Sequence, residues 1–280
     1  MAFFGAAVRE RDLVSHYARH VRNAEETAYF HKHQHRYKKD CRFPIELLDG
    51  RTLYVRGGTN EIRVFDRIFI RDVYHIPDGL DKKLGIVIDI GAHIGLFSSL
   101  VSPLAERVIC YEPMRVNLEL LELNTSGLGN VEIVAKAVGS SNGNVRIYQS
   151  KKTHRCAEFP EAGVHEEKYD LVPSVTLDDL FKQHEIRRCE LLKMDVEGSE
   201  YGILWSADEE TLRKIGRIHF EYHNINSRDP CWNGPALLCR LSKSHFELNR
   251  FAVGSGRSHR DMPLRTRLFA SRECCQSRLH

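Results

Sequence analysis

The chain has 280 residues, with 41 Lys and Arg against 38 Asp and Glu, giving a formal charge of +3 and a pI near 8.4. That length can bury a full core and fits one large domain with an N-terminal addition, while the mild charge argues against a polybasic nucleic-acid binder. No apolar run approaches the ~20 residues of a membrane span, and Met1-Ala2-Phe3-Phe4 gives way to charges too early for a secretory signal, so a cytoplasmic protein is expected.

In residues 8–30, Leu13, Val14, Tyr17, Ala18 and Val21 stand at the spacing of an amphipathic helix. The string His31-Lys32-His33-Gln34-His35 that follows reads as an exposed basic link, because no carboxylate or cysteine is interleaved to complete a metal site. Asp49-Gly50 between two strand-like runs predicts a hairpin over 45–55. Thr59 or Asn60 then caps a helix that buries Ile62, Val64, Phe65, Ile68 and Phe69. Residues 43–77 are expected to pack over the mouth of the main domain.

From residue 84 onward strands and helices alternate. Strands are predicted at 86–90, 107–111 and 131–135, helices at 94–104 and 116–123, and an accessory strand at 144–148, the pattern of a parallel, doubly wound α/β sheet. Periodicity disappears over 151–173, a long loop expected to contribute to acceptor recognition. Thr176 caps a short helix with Leu177, Leu180 and Phe181 buried. Strands at 189–194 and 215–222, a helix at 234–245 and strands at 246–253 and 264–270 close the sheet. The eight cysteines lack C-x-x-C or repeated spacing, and Cys110 and Cys189 lie inside apolar runs, so most should be reduced core thiols and no zinc site is implied.

The segment Val87-Ile88-Asp89-Ile90-Gly91-Ala92-His93-Ile94-Gly95-Leu96-Phe97 is an apolar run that breaks into a glycine turn and resumes with helical spacing. In open α/β sheets this is where a nucleotide-like ligand lies. Asp89 ends the strand and is expected to face the crevice. A dinucleotide fingerprint reads G-x-G-x-x-G, whereas Asp-x-Gly-x-x-x-Gly has one glycine fewer and a carboxylate that would repel a pyrophosphate. It suits a ligand with a positive group, such as S-adenosylmethionine. Glu112 ends the next strand 23 positions after Asp89, near the interval at which such folds set a carboxylate on a ribose diol.

A second centre is Lys193-Met194-Asp195-Val196-Glu197-Gly198-Ser199-Glu200, where an apolar strand emerges into an acidic turn at the same sheet edge. The strand ending His219-Phe220-Glu221-Tyr222-His223 adds titratable groups there, with Glu221 and His223 on one face by the two-residue period.

These segments, with Tyr111-Glu112-Pro113 and Phe220-Glu221-Tyr222-His223, resemble the FkbM family of S-adenosylmethionine-dependent methyltransferases over roughly residues 59–251. The resemblance implies a Rossmann-like class I methyltransferase fold: a seven-stranded, mostly parallel sheet with one antiparallel strand near its end and helices on both faces. It also implies O-methylation, commonly of hydroxyls on sugars, glycans or natural products. The division expected is an N-terminal helix and hairpin at 1–80, the methyltransferase domain at 81–273 and a tail at 274–280, with neither the N-terminal helix nor the tail covered by the family pattern.

The cofactor set expected is the main chain of Gly91, Ala92, His93 and Gly95 against the methionyl part, Glu112 on the ribose and Lys136-Ala137-Val138 at the adenine. Asp89 would take the amino group, directly or through water, and Asp195 also borders the cofactor. Methyl transfer to a hydroxyl needs collinear reactants and a proton acceptor. Asp195 is the first candidate for base or acceptor-orienting carboxylate, His223 the next, and Glu197 and Glu221 their partners. The same oxygen ligands could hold a divalent cation such as Mg²⁺, a secondary reading because acidic strand ends do not fix a coordination geometry. A nicotinamide oxidoreductase and a non-catalytic binding protein of the same fold remain the rival classes.

Overall fold

The structure is a computed structural model that describes residues 10–76, 82–149, 156–157, 169–196, 198–223, 234–244, 246–251 and 265–271; at 149, 156–157, 221–223, 234–236, 238, 247–251 and 265–271 the description is of the backbone. In chain order the elements begin with helices α1 (Glu10–Tyr17) and α2 (Ala24–His33), hairpin strands β1 (Arg42–Glu46) and β2 (Thr52–Arg56), and helix α3 (Glu61–Phe65) running into a π-helical turn, Asp66–Ile70. Strand β3 (Leu84–Ile90), helix α4 (Leu96–Val101), strand β4 (Ala105–Tyr111), helix α5 (Arg115–Thr125) and strand β5 (Val131–Val134) follow. Then come β6 (Ala137–Val138), β7 (Gly143–Gln149), β8 (Cys156–Ala157), β9 (Tyr169–Val175), α6 (Leu177–Gln183), β10 (Cys189–Met194), α7 (Glu200–Ser206) and α8 (Glu209–Arg213). The last elements are β11 (Ile215–His223), α9 (Gly234–Lys243), β12 (Glu247–Phe251) and β13 (Arg265–Ser271).

The main sheet has the order β12-β13-β11-β10-β3-β4-β5. Five consecutive strands, β11, β10, β3, β4 and the edge strand β5, pair parallel, while β13 pairs antiparallel with both β11 and β12. This is the mostly parallel α/β sheet that the alternation predicts. Strand period decides what each face buries. Ile88, Ile90, Ile109, Tyr111, Leu192, Met194, Ile218 and Phe220 pack in one core with Leu180, Phe181, Ile203, Leu204 and Leu237 of the later helices. Val87, Val108, Cys110 and Leu191 face the other core, with Leu96 and Phe97 of α4 and Leu120 and Leu121 of α5.

That second core continues without interruption into the N-terminal elements. Tyr17, Phe30, Ile45, Leu53, Val55, Ile62 and Phe65 belong to it and are almost fully buried. Residues 10–76 therefore share the sheet's core. Asn124 of α5 fastens the junction: it accepts from Tyr54 N (2.7 Å) and donates to Tyr54 O (3.0 Å) and to Ile94 O in the glycine turn (2.7 Å).

Two local expectations are corrected. The single helix over 8–30 is two helices, broken where Val21 leaves helical geometry to bridge Leu47 beside the hairpin. The 151–173 loop is shorter than the polarity suggests, because β9 begins at Tyr169 and pairs with β7. Its first three residues, Tyr169, Asp170 and Leu171, are all exposed on a small second sheet of order β6-β9-β7-β8, and consecutive exposed positions give no alternation to read. Of the cysteines whose surroundings are described, Cys110 and Cys189 are core thiols, but Cys41 is half-buried and Cys239 exposed.

Candidate active site

The carboxyl ends of β3, β4 and β10, together with the start of β6, surround a cleft. Gly91, Ala92 and His93 line it from the glycine turn, Glu112, Pro113, Met114 and Asn117 from the end of β4 and the start of α5, and Lys136, Ala137 and Val138 from the third strand's exit. Lys193, Asp195, Val196 and Ser199 close another side, and Asn60, Val64, Arg67, Ile68 and Tyr74 form a wall from the N-terminal segment.

The glycine turn works differently from the sequence expectation. Its polar groups are committed within the protein: Gly91 N and Ala92 N both donate to Tyr111 O (2.9 and 3.1 Å), Gly95 N to Ala92 O (2.9 Å) and His93 N to Glu112 Oε2 (2.9 Å). Gly91 (φ +74) faces Asp195, whose carbonyl oxygen would lie 2.4 Å from an added Cβ, and Gly95 (φ +80) faces Leu121 Cδ1 at 2.5 Å. Both glycines therefore answer a left-handed backbone and a close approach of protein to protein. Gly95 lies outside the cleft lining, whereas Gly91, Ala92 and His93 belong to it.

Asp89 is the larger correction. It is fully buried and does not line the cleft. Lys193 Nζ lies 2.8 Å from its Oδ1, Ser98 Oγ donates to its Oδ2 (2.6 Å), and Cys110 Sγ donates to Ser98 Oγ (3.0 Å). The parallel register sets Cys110, Asp89, Lys193 and His219 in one row across four strands, on the face that carries the N-terminal core. Burial disfavours the Lys193 ammonium, but Asp89, then Tyr74 and Asp195, outweigh it and hold the group above the usual lysine value. The carboxylate that was expected to repel anions from the cleft is thus neutralised by a protein cation.

Glu112 is 4% exposed, lines the cleft and accepts three hydrogen bonds, from His93 N, Met114 N (2.9 Å) and Asn117 Nδ2 (3.1 Å). Burial raises its pKa, and these donors, with Lys193 more weakly, oppose the rise. A carboxylate offers roughly four acceptor positions, so one remains. Asn117 Oδ1 in turn accepts from Arg56 (2.8 Å), whose guanidinium grips the buried Glu61, and Glu61 Oε1 stands 3.6 Å from His93 Nε2. Burial lowers the His93 pKa, with Glu61 opposing, so the imidazole is neutral in the cleft near pH 7.

Asp195 lines the cleft, half-buried, with its backbone N–H on Ile90 O (3.2 Å). Glu200 closes the acidic turn by accepting from Val196 N (3.2 Å) and Gly198 N (2.8 Å). Glu197 lies outside the described residues, as do the side chains of Glu221 and His223, whose backbones belong to β11. Ala137 and Val138 are buried cleft residues. Among the described residues no group of three or more His, Cys, Asp or Glu is placed to hold a metal ion, and no helix is long and apolar enough to cross a membrane. Arg56, Glu61 and Asn117 were not singled out from the sequence, and Lys193 stood in the second centre without a role of its own. A lysine two residues before an acidic strand end, inside an apolar strand, is a signal that a buried partner exists.

An open, mostly parallel α/β sheet with its cleft at the carboxyl ends of the strands is the architecture of nucleotide- and nucleoside-binding enzymes. The methyltransferase FkbM domain matches residues 89–258, more than half of the chain, and the chain belongs to that family. It is 24% identical over 225 residues to the AMB antimetabolite synthetase AmbE of Pseudomonas aeruginosa, covering 66% of this chain and 10% of that protein, so it spans about a tenth of that relative's length. Among solved structures it is similar to an FkbM methyltransferase of Methylobacillus flagellatus (15% identity, 94% of this chain and 59% of that one, TM-score 0.44). It is also similar to magnesium protoporphyrin IX methyltransferase of Synechocystis, solved with bound S-adenosylmethionine (11% identity, 96% and 99%, TM-score 0.46). Membership of a methyltransferase family sets aside the nicotinamide reading.

Proposed function

We propose that the chain is an S-adenosylmethionine-dependent O-methyltransferase acting on a hydroxyl of a sugar, glycan or natural-product acceptor. The observation that carries the reading is the convergence on one cleft of Glu112, with one acceptor position left, and of Lys193 and Asp195 at the end of β10. The residues present fit the cofactor. Glu112 can accept from a ribose hydroxyl, Ala137, Val138 and Ile147 offer apolar surface for an adenine, and charged groups of both signs stand where an amino-acid end would lie. When bound, S-adenosylmethionine supplies an electrophilic methyl group on a sulfonium.

The chain's own residues supply positioning and a proton acceptor. Asp195 is the half-buried carboxylate that would orient the acceptor hydroxyl and take its proton. Val64, Ile68, Tyr74 and Phe97 exclude water from the cleft, and Asn60 and Arg67 add polar groups for the acceptor. The test is incubation of the purified chain with S-adenosylmethionine and a hydroxylated metabolite extract. Acceptor-dependent release of S-adenosylhomocysteine, with a metabolite gaining one methyl group by mass spectrometry, is expected. Absence of any S-adenosylhomocysteine binding by calorimetry overturns the cofactor reading.

A further inference from the structure

We infer that Lys193 is the residue that holds the carboxylate of the cofactor's amino-acid end, and that the protein's own ammonium fills the place a cofactor ammonium would otherwise take. The inference rests on the S-adenosylmethionine reading and goes beyond it by assigning which end of the zwitterion is recognised, and by what. Two acceptors stand at the carboxyl end of β3, the Asp89 carboxylate and the Gly91 carbonyl. Lys193 Nζ engages both, at 2.8 Å each. An ammonium carries three N–H donors, so one remains. Lys193 is 4% exposed and lines the cleft. Its aromatic neighbour, the Phe97 ring at 5.9 Å, closes one side without offering a conventional acceptor.

The geometry decides the sign of the ligand group. A cofactor ammonium brought to Nζ would find no acceptor there, because the Asp89 carboxylate and the Gly91 carbonyl are already engaged by Lys193. A carboxylate would complete the third donor through a charge-assisted hydrogen bond. Asp89 thus acts at one remove: it keeps Lys193 charged and aimed, and is a positioning residue. Asp195 also lines the cleft.

The test uses calorimetry on the full chain with S-adenosylhomocysteine, its decarboxylated analogue and its deaminated analogue. The expected result is that decarboxylation weakens binding about 10- to 100-fold, the range of a charge-assisted hydrogen bond, and more than deamination does. An equal or larger loss on deamination overturns the inference while leaving the cofactor reading intact. If S-adenosylhomocysteine itself does not bind, the cofactor reading fails, and this inference with it. Lys193→Met should bring the affinities for S-adenosylhomocysteine and its decarboxylated analogue together. Because that change strands Asp89, the double variant Asp89→Asn/Lys193→Met is measured beside it, and the wild-type ligand series decides the question whether or not either variant folds.

Discussion

Lys193 and Asp89 form an ion pair at 2.8 Å within a layer otherwise packed from Val87, Phe97, Val108 and Leu191. Both side chains are at most 5% exposed. A pair so placed has given up most of its hydration, and it survives because Ser98 and the Gly91 carbonyl satisfy further valences. Removing one member leaves an uncompensated buried charge. Lys193→Met should therefore lose about 3–5 kcal/mol in urea denaturation, and adding Asp89→Asn should restore most of it. A double variant no more stable than Lys193→Met would mean that the pair is not what holds this layer.

Gly95 and Gly127 separate two costs that usually travel together. Their φ angles are +80° and +81°, yet an added Cβ at Gly95 meets Leu121 at 2.5 Å while at Gly127 nothing lies within 4 Å. Gly127→Ala should cost only the left-handed backbone, about 1–2 kcal/mol. Gly95→Ala should cost that plus overpacking of about 1–3 kcal/mol. Equal losses in thermal unfolding would show that the contact with α5 is easily relieved.

His219 gives the fold a pH dependence whose sign can be worked out. Burial first, then Arg217 and His75, lower its pKa from 6.5 to about 3, and it sits 6% exposed with its ring parallel to Tyr74 at 6.5 Å. Above pH 6.5 it is neutral in both folded and unfolded chains and contributes no slope. Below that the unfolded chain takes up a proton that the folded one refuses, so stability falls as pH drops from 6.5 toward 3, by at most ~1.4 kcal/mol per pH unit. His219→Phe should flatten that part of the wild-type curve. Parallel curves for the two proteins in denaturant titrations would rule out His219 as the source.

The course of the main sheet was legible because each strand is apolar and each crossover is marked. Ile88 and Ile90 alternate with Val87 and Asp89, Pro113 and Thr176 announce helices, and Thr176 Oγ1 does accept from Asp179 N (3.2 Å). Glu112 could be placed at the cleft because strand-end position and spacing are local properties. Lys193 could not be assigned in the same way. Its role follows from register, which brings it beside Asp89 across 104 positions of sequence, and no periodicity encodes which strands become neighbours. The same reason hid Arg56 and Glu61, whose link to the cleft through Asn117 depends on the N-terminal segment folding onto the sheet. It also misdirected the reading of Asp89, whose charge looked open to the crevice until its partner was in view.

Glu112 sets an asymmetry that binding can read. Oε1 accepts from Met114 N and Asn117 Nδ2, Oε2 from His93 N, and one of roughly four acceptor positions is left. Two ribose hydroxyls cannot both be accepted with full strength, in contrast to the symmetric clasp that a carboxylate at a strand end suggests. The 2′-deoxy and 3′-deoxy forms of S-adenosylhomocysteine should accordingly differ in affinity, one binding about 10-fold or more weaker than the parent and the other within about threefold, since a hydrogen bond to a charged group is worth about 1.5–3 kcal/mol. Equal losses on removing either hydroxyl would mean that His93 N or Asn117 yields its place on the carboxylate when the ligand arrives. Asn117→Ala distinguishes the two cases: by freeing a second acceptor position on Oε1 it should reduce the difference between the two deoxy ligands, and a difference that persists would assign the selectivity to another residue of the cleft.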